Sequence, residues 1–316
     1  MTVVVFGSIN MDLVARTPHL PAPGETITGH EFFTAPGGKG ANQAVAVARL
    51  QAPTKMIGRV GDDAFGSELR QHLAAAGVDT ETVATDTGLS SGVAVIAVDD
   101  AAQNNIIIIP GANGRMDESD VERLVDHLAG AGVLLLQLEV PLPAVMAAAR
   151  QARQRGVTVI LDPAPALDLP AELYPLVDIL TPNEVEARQL VGFEVKTPDD
   201  AARAAKTLLG REIKTAIIKM GAQGVYYATQ TQTGDSPSAE FVPAFEVKAI
   251  DTVAAGDAFN GGLATALIEG QPLANAVRWG AAVGALSTTK PGAQPSMPDR
   301  SEFERFLQAQ GEVIRN

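Results

Sequence analysis

The chain has 316 residues, 46% hydrophobic and 19% charged, with 24 Lys and Arg against 37 Asp and Glu for a formal net charge of −13. Folded chains of roughly 300 residues bury about 75% of their extended surface, so one large or two ordinary α/β domains fit and intrinsic disorder is excluded. A pI near 4.8 argues against nucleic acid or anionic membrane as partner, because both need clustered cations.

Residues 3–7 predict a strand, followed by a helix over 41–51, a strand over 55–60 and a helix over 63–76. Residues 11–36 interrupt this rhythm with Pro, Gly and Thr, and residues 88–110 read as two strands joined by a short turn. Segments 10–36 and 88–112 together predict a small β-sheet lid inserted in the main domain, 1–316. The alternation resumes with a strand over 132–138, a helix over 143–155, strands over 157–161 and 177–180, helices over 182–190 and 199–209, and a strand over 215–219. The polar stretch at 229–238 reads as a hairpin tip. The tail reads as a short strand, a glycine-bearing turn, helices over 254–269 and 273–289, and a polar terminal helix from 299. Such βαβ succession predicts an α/β fold, a three-layer αβα stack with a mostly parallel central sheet.

Zero cysteines exclude disulfides, thiol nucleophiles and Cys-ligated metal centres, which fits a cytoplasmic protein. The four histidines have no metal or triad spacing, and no apolar run approaches the ~18 to 20 residues of a membrane span. The expectation is a soluble protein whose chemistry leans on carboxylates, amides and backbone.

Ligands of open α/β sheets sit beyond the carboxyl ends of the strands. Asn10, Asp12, Glu139, Asn183, Glu186 and Gly221 all follow apolar runs, although any one of them alone reads equally as strand-end solvation. In APGGKGANQAVA, Gly37, Gly38 and Gly40 let backbone approach a ligand before a helix, Lys39 supplies a cation and Asn42 an amide in the first turn. Neither GxxxxGK[ST] nor a strand followed by GxGxxG is present. In TPNEVEARQL, Thr181 as N-cap, Pro182 at N1 and Glu184 at N3 predict a capping box. That assignment leaves Asn183 and Glu186 available to face a phosphate-bound Mg²⁺. In AIDTVAAGDAFNGGLATAL, Ala254, Ala255 and Gly256 leave first-turn N–H groups uncovered for a phosphoryl charge, and Asp257 can take a proton from an attacking hydroxyl. The bland alternative for Asp257 is a helix-dipole complement, but Gly261 and Gly262 indicate that another chain or a ligand packs closely.

The segments GSINMD, PGGKGANQA, QLE at 137–139, TPNEVE, KMGAQG, DTVAAGDAFNGG and GAQPS occur in this order along nearly the whole chain and resemble the ribokinase-like carbohydrate kinases. The resemblance implies that family's fold and ATP-dependent phosphorylation of D-ribose at the 5-hydroxyl, with Asp257 as base and the backbone of Ala254, Ala255 and Gly256 as anion hole. Sugar contacts carry over to Asn10, Met11, Asp12, Gly38, Lys39, Gly40, Ala41, Asn42 and Glu139. Nucleotide contacts carry over to Asn183, Lys219, Met220, Gly221, Ala222, Gln223, Gly224, Gly256, Asp257 and Ala281. The resemblance also implies Mg²⁺, reached by Glu186 through water. It further implies an activating K⁺ with ligands at Asp251, Val253, Ser287, Lys290, Gly292 and Ser296. The chain departs from the pattern at Lys219, where a small hydroxyl residue is expected, and at Ala281, where a histidine is. Family members acting on deoxyribose, a ketohexose, a keto-deoxy acid or a nucleoside are the near alternatives, and a non-catalytic sugar-binding regulator is the distant one. Apolar lid strands such as residues 93–98 would be edge liabilities, and a homodimer pairing through the lids is expected.

Overall fold

The apolar β-branched runs pair in parallel because helices return the chain between them. The computed structural model describes residues 1–101, 103–231 and 237–311. Its first half contains β1 (Thr2–Phe6), β2 (Asn10–Thr17), β3 (Glu31–Gly37), α1 (Lys39–Arg49), β4 (Thr54–Gly61), α2 (Ala64–Ala75), β5 (Val83–Asp86), β6 (Gly92–Asp99), β7 (Asn104–Ile109) and α3 (Glu118–His127). There follow β8 (Ala131–Leu136), α4 (Leu142–Gln154), β9 (Thr158–Leu161), β10 (Ile179–Leu180), α5 (Glu184–Val191), α6 (Pro198–Leu209) and β11 (Thr215–Lys219). The last elements are β12 (Gly224–Thr229), β13 (Ser238–Pro243), α7 (Ala255–Ile268), α8 (Leu273–Ser287) and α9 (Arg300–Ala309).

A nine-stranded sheet runs β13-β12-β11-β10-β9-β8-β1-β4-β5, antiparallel only at the β11–β12 and β12–β13 pairs. Period-2 alternation in β1 sends Val3 and Val5 into a core with α1, α7 and α8, and Val4 and Phe6 into a second core with α4, α5 and α6. Helices therefore cover both faces, which is the expected αβα stack. β2, β3, β6 and β7 form one separate sheet in the order β3-β2-β6-β7. The edge liability lies on β7 rather than on residues 93–98, because β6 is flanked by β2 and β7.

Three local expectations need correction. Residues 249–253 form no strand: Ile250 and Val253 are exposed, and the N–H groups of Ile250 and Asp251 both donate to Thr288 O. α5 starts two residues later than predicted, with Asn183 as N-cap and Glu186 at N3. Asn183 accepts from Glu186 N–H while Glu186 accepts from Asn183 N–H, so the capping box uses the two residues the sequence left over. Thr181 is instead buried, its hydroxyl turned toward Leu161 O. Third, helices explain Gly261 and Gly262: a Cβ on Gly261 would overlap Ala46 of α1, and one on Gly262 would come within 2.8 Å of Val283 in α8. Of the hairpin tip expected at 229–238, the flanking strands pair antiparallel, and residues 232–236 lie outside the described residues. Among the described residues no helix is long and apolar enough to cross a membrane.

Candidate active site

The chain leaves the large sheet after β1 and enters the small one at Asn10, so β2 and α1 meet beside the carboxyl end of β1. Gly38 makes that meeting possible. It caps α1 at a φ of 88°, and a Cβ there would stand 2.7 Å from Asn10 N. The Asp12 carboxylate fills the space that a side chain on Gly37 would need. Ser8 Oγ and Lys39 N–H both donate to Glu139 Oε2, at 2.6 and 3.0 Å, and Gly40 N–H donates to Ser8 Oγ at 3.3 Å. Glu139 thereby ties the glycine loop to the end of β8 and keeps Oε1 without a protein donor among the described residues.

Asp257 stands at N3 of α7, behind an Ala254 held at a left-handed φ of 59°. Its carboxylate is 4% exposed and accepts from Asn42 Nδ2 at 3.0 Å and from Gln43 Nε2 at 3.1 Å. Asn42 Oδ1 in turn accepts from Gln294 Nε2, so both ends of the Asn42 amide are engaged within the protein. Gln43 Nε2 also donates to Asp162 Oδ2 at 3.0 Å, and Gln43 Oε1 accepts from Gln137. Lys219 Nζ donates to the other Asp162 oxygen at 3.0 Å. At the start of α7, Ala255 N–H turns back to Thr252 O at 3.3 Å. Among the described residues the N–H groups of Gly256 and Asp257 have no backbone acceptor one turn back, as in any first helical turn.

The electrostatics follow from burial and crowding. Burial, then Glu139 and Asp257, push the Asp12 carboxyl up to about 7. Burial also pushes Asp257 up to about 6, opposed chiefly by Lys39 and reinforced by Asp162. Glu186 is raised by burial, against the pull of Lys219. For Lys39, burial works to lower the value, but Asp257, Asp162, Glu139 and Glu186 outweigh it and hold the ammonium protonated. These five carboxylates, Asp12, Glu139, Asp162, Glu186 and Asp257, face the ammoniums of Lys39 and Lys219. A polyphosphate entering such a site needs additional positive charge.

Of the expected nucleotide residues, Lys219 is in contact with Asp162. Asn183 and Lys219 form an isolated parallel bridge, with Lys219 N–H donating to Pro182 O at 2.9 Å. Gly221, Ala222 and Gln223 form one exposed turn, Gly224 opens β12, and Ala281 is half-buried on α8. Met11, Ala41 and Met220 are fully enclosed in core, so only their backbone could reach a ligand. Among the described residues no three His, Asp or Glu side chains are grouped to hold a metal. Mg²⁺ does not require such a group, since it commonly takes one or two carboxylates plus waters and phosphates, and Glu186 fits that pattern.

Of the expected cation residues, Asp251 joins Val253 to Gly292. Asp251 Oδ1 accepts from Val253 N–H at 3.0 Å, Oδ2 accepts from Gly292 N–H at 2.8 Å, and Lys290 N–H donates to Ser287 O. Ser287 and Ser296 hydroxyls donate to Gly284 O and Ala293 O, and Lys290 Nζ pairs with Glu302.

Gln43, Asp162, Gln137 and Gln294 complete the site without having been anticipated. Asp162 follows the apolar run of β9 directly, so the strand-end rule that selected Glu139 applies to it equally. Gln137 likewise directly follows β8, whereas Gln43 in α1 and Gln294 in a turn lack any such signal, because an amide there reads as solvated until its partners are placed.

Residues 1–300 match the model of the pfkB family carbohydrate kinases. Ribokinase of Haemophilus influenzae is 43% identical over 97% of this chain and 98% of that protein. Deoxyribokinase of Salmonella typhi is 36% identical over 97% and 99%. The structure of Arabidopsis thaliana ribokinase complexed with ribose and ATP superposes with a TM-score of 0.86 at 35% identity, covering 97% of this chain and 98% of that one. With Asp257 buried at a helix start and held by two amides, a glycine loop beside it and this full-length likeness, the chain belongs to the pfkB family of carbohydrate kinases.

Proposed function

We propose that the protein phosphorylates D-ribose at its 5-hydroxyl with ATP, and that Asp257 is the general base. The observation that carries this reading is the Asp257 carboxylate, buried at the first turn of α7, aligned by Asn42 and Gln43 and raised to about 6, close to the range where a base works at neutral pH. In the step, the sugar oxygen bonds to the terminal phosphorus as the bond to the bridging oxygen breaks, its electron pair leaving on ADP. The hydroxyl proton passes to Asp257. The N–H groups of the first turn, Gly256 above all, receive the charge on the transferring group.

Asn10, Asp12, Gly38, Lys39 and Glu139 would hold the sugar hydroxyls, with the free oxygen of Glu139 as an acceptor. Met11, Gly40 and Ala41 support that loop through backbone. Asn42 aligns Asp257 with one N–H of its amide and would have the second for a sugar hydroxyl. Asn183, Lys219 and the 220–224 turn would line the nucleotide, with Glu186 meeting Mg²⁺ through water and Ala281 leaving room near the base. K⁺ would sit among Asp251, Val253, Ser287, Lys290, Gly292 and Ser296 and fix the loop before α7.

The small sheet would act as lid and as dimer contact. Support comes from β7, a sheet edge on which Ile106, Ile107, Ile108 and Ile109 are all exposed, together with Phe32 and Phe33 on the opposite edge strand, β3. The likeness to a deoxyribokinase makes deoxyribose the alternative to test first. ADP release measured over ribose, deoxyribose, fructose and adenosine, with and without K⁺, decides between them. The reading predicts the highest kcat/KM for ribose and a rise on adding K⁺. Turnover confined to another acceptor would replace ribose, and none with any sugar would remove the kinase assignment.

A further inference from the structure

Lys219 has a position that ion pairing alone does not explain. It ends β11, and its ammonium reaches Asp162 Oδ1 at 3.0 Å, with the two side chains only 12% and 3% exposed. The same ammonium lies against the opening turn of α7: a Cβ placed on Gly256 would stand 3.2 Å from Lys219 Nζ. A helix N-terminus carries partial positive charge, so a lysine there is repelled by the dipole rather than stabilised by it. Both positive features face the same space, one residue before Asp257. Asp162 holds the lysine there and, through its other oxygen, shares Gln43 with Asp257. An ammonium carries three donors, and with one on Asp162 two remain.

We propose that Lys219 is a charge-stabilising residue for the transferred phosphoryl group, with Asp162 as its positioning residue. This rests on the phosphotransfer reading above and adds a role that the Gly256 backbone alone would otherwise fill. During transfer the ammonium donates N–H bonds to non-bridging oxygens of the moving group and gives up no proton, since the hydroxyl proton goes to Asp257. The glycine at 256 lets the lysine lie close to the helix turn, since a Cβ there would stand 3.2 Å from Nζ. Arginine keeps the charge but not the compact point geometry, so it substitutes only in part.

The test compares wild type with Lys219→Met, Lys219→Arg and the double variant Lys219→Met with Asp162→Asn, reading thermal stability, kcat for ribose, and ATP and ADP affinity by calorimetry. Removing one donor to a developing oxyanion typically costs about 10²- to 10³-fold in kcat, and Lys219→Met is expected in that range. ATP affinity should fall at least about tenfold more than ADP affinity, as a terminal-phosphate contact requires. Lys219→Arg should recover part of kcat. The double variant removes both charges, so it should recover stability that Lys219→Met loses by leaving Asp162 unpaired, yet keep the low kcat. A double variant with wild-type kcat, or equal losses for ATP and ADP, would overturn the proposal and leave Lys219 a structural ion pair. If wild type releases no ADP with ribose, the phosphotransfer reading fails separately, and the ATP-against-ADP comparison still decides whether Lys219 meets the terminal phosphate.

Discussion

The pairing of α1 with α7 sets the geometry of the base, and Gly261→Ala tests it. Asn42 and Ala46 lie one turn apart on α1, and Asp257 and Gly261 one turn apart on α7, so the Asn42–Asp257 hydrogen bond and the Ala46–Gly261 contact share one interface. A methyl group on Gly261 would overlap Ala46 Cβ and stand 3.2 Å from both Ala46 C and Val47 N. Carbon atoms prefer roughly 3.5 to 4.0 Å, so the helices must part by a good fraction of an ångström. Overpacking of this kind costs about 1 to 3 kcal/mol, and removing a mid-helix glycine returns about 1 kcal/mol, for a net loss of up to about 2 kcal/mol. The same displacement would stretch the 3.0 Å bond from Asn42 to Asp257, and kcat should fall by about tenfold or more. Urea unfolding and ADP release measure the two effects on one preparation. Adding Ala46→Gly moves the glycine across the interface and should restore most of both. A Gly261→Ala protein as stable and as active as wild type would refute the tight interface and its link to the base.

Ala254→Gly should raise stability by up to about 1 kcal/mol, because glycine enters the left-handed φ of 59° without the strain alanine bears; a lowered urea midpoint would contradict this. With Asp257 raised to about 6, kcat/KM should drop as pH falls through about 6, when the base takes up its proton, and a flat profile from pH 5 to 8 would count against it. The same raised value means that the folded state holds a proton the unfolded chain has already lost, so stability declines as pH rises from about 4 past 6. Asp257→Asn should therefore raise Tm relative to wild type at pH 8 more than at pH 5. Glu139→Gln should weaken ribose binding by about 1 to 3 kcal/mol in calorimetry, because the amide oxygen can keep the bonds from Ser8 and Lys39 while its NH2 replaces the free, charged acceptor; unchanged affinity would place the sugar elsewhere.

Most of the architecture was legible because period-2 and period-3.6 patterns separate cleanly in this chain. Residues 215–219 formed the strand their β-branched pattern implied, and segments around 10–37 and 92–109 joined into one small sheet. The errors are local and physical. TPNEVE contains two overlapping capping signatures, and Asn183 with Glu186 prevailed, because Lys219 N–H holds Pro182 O in an extended bridge outside the helix. Residues 249–253 have strand-like composition, but the N–H groups of Ile250 and Asp251 turn to Thr288 O and that of Val253 to Asp251. At the site, Asp257, Lys39 and Glu139 stood out by position after glycines or an apolar run. Gln43 and Gln294 did not, since only the crossing of α1 with α7 and the 294 turn gives their amides partners.

Turnover of Asp257→Asn, with ribose binding followed in parallel by calorimetry, puts the account to its most direct test. Loss of a general base is worth about 10² to 10⁴ in rate, so ADP release should fall within that range while the ribose heat persists. Turnover near that of wild type would mean that the proton leaves by another route and that Asp257 is not the base.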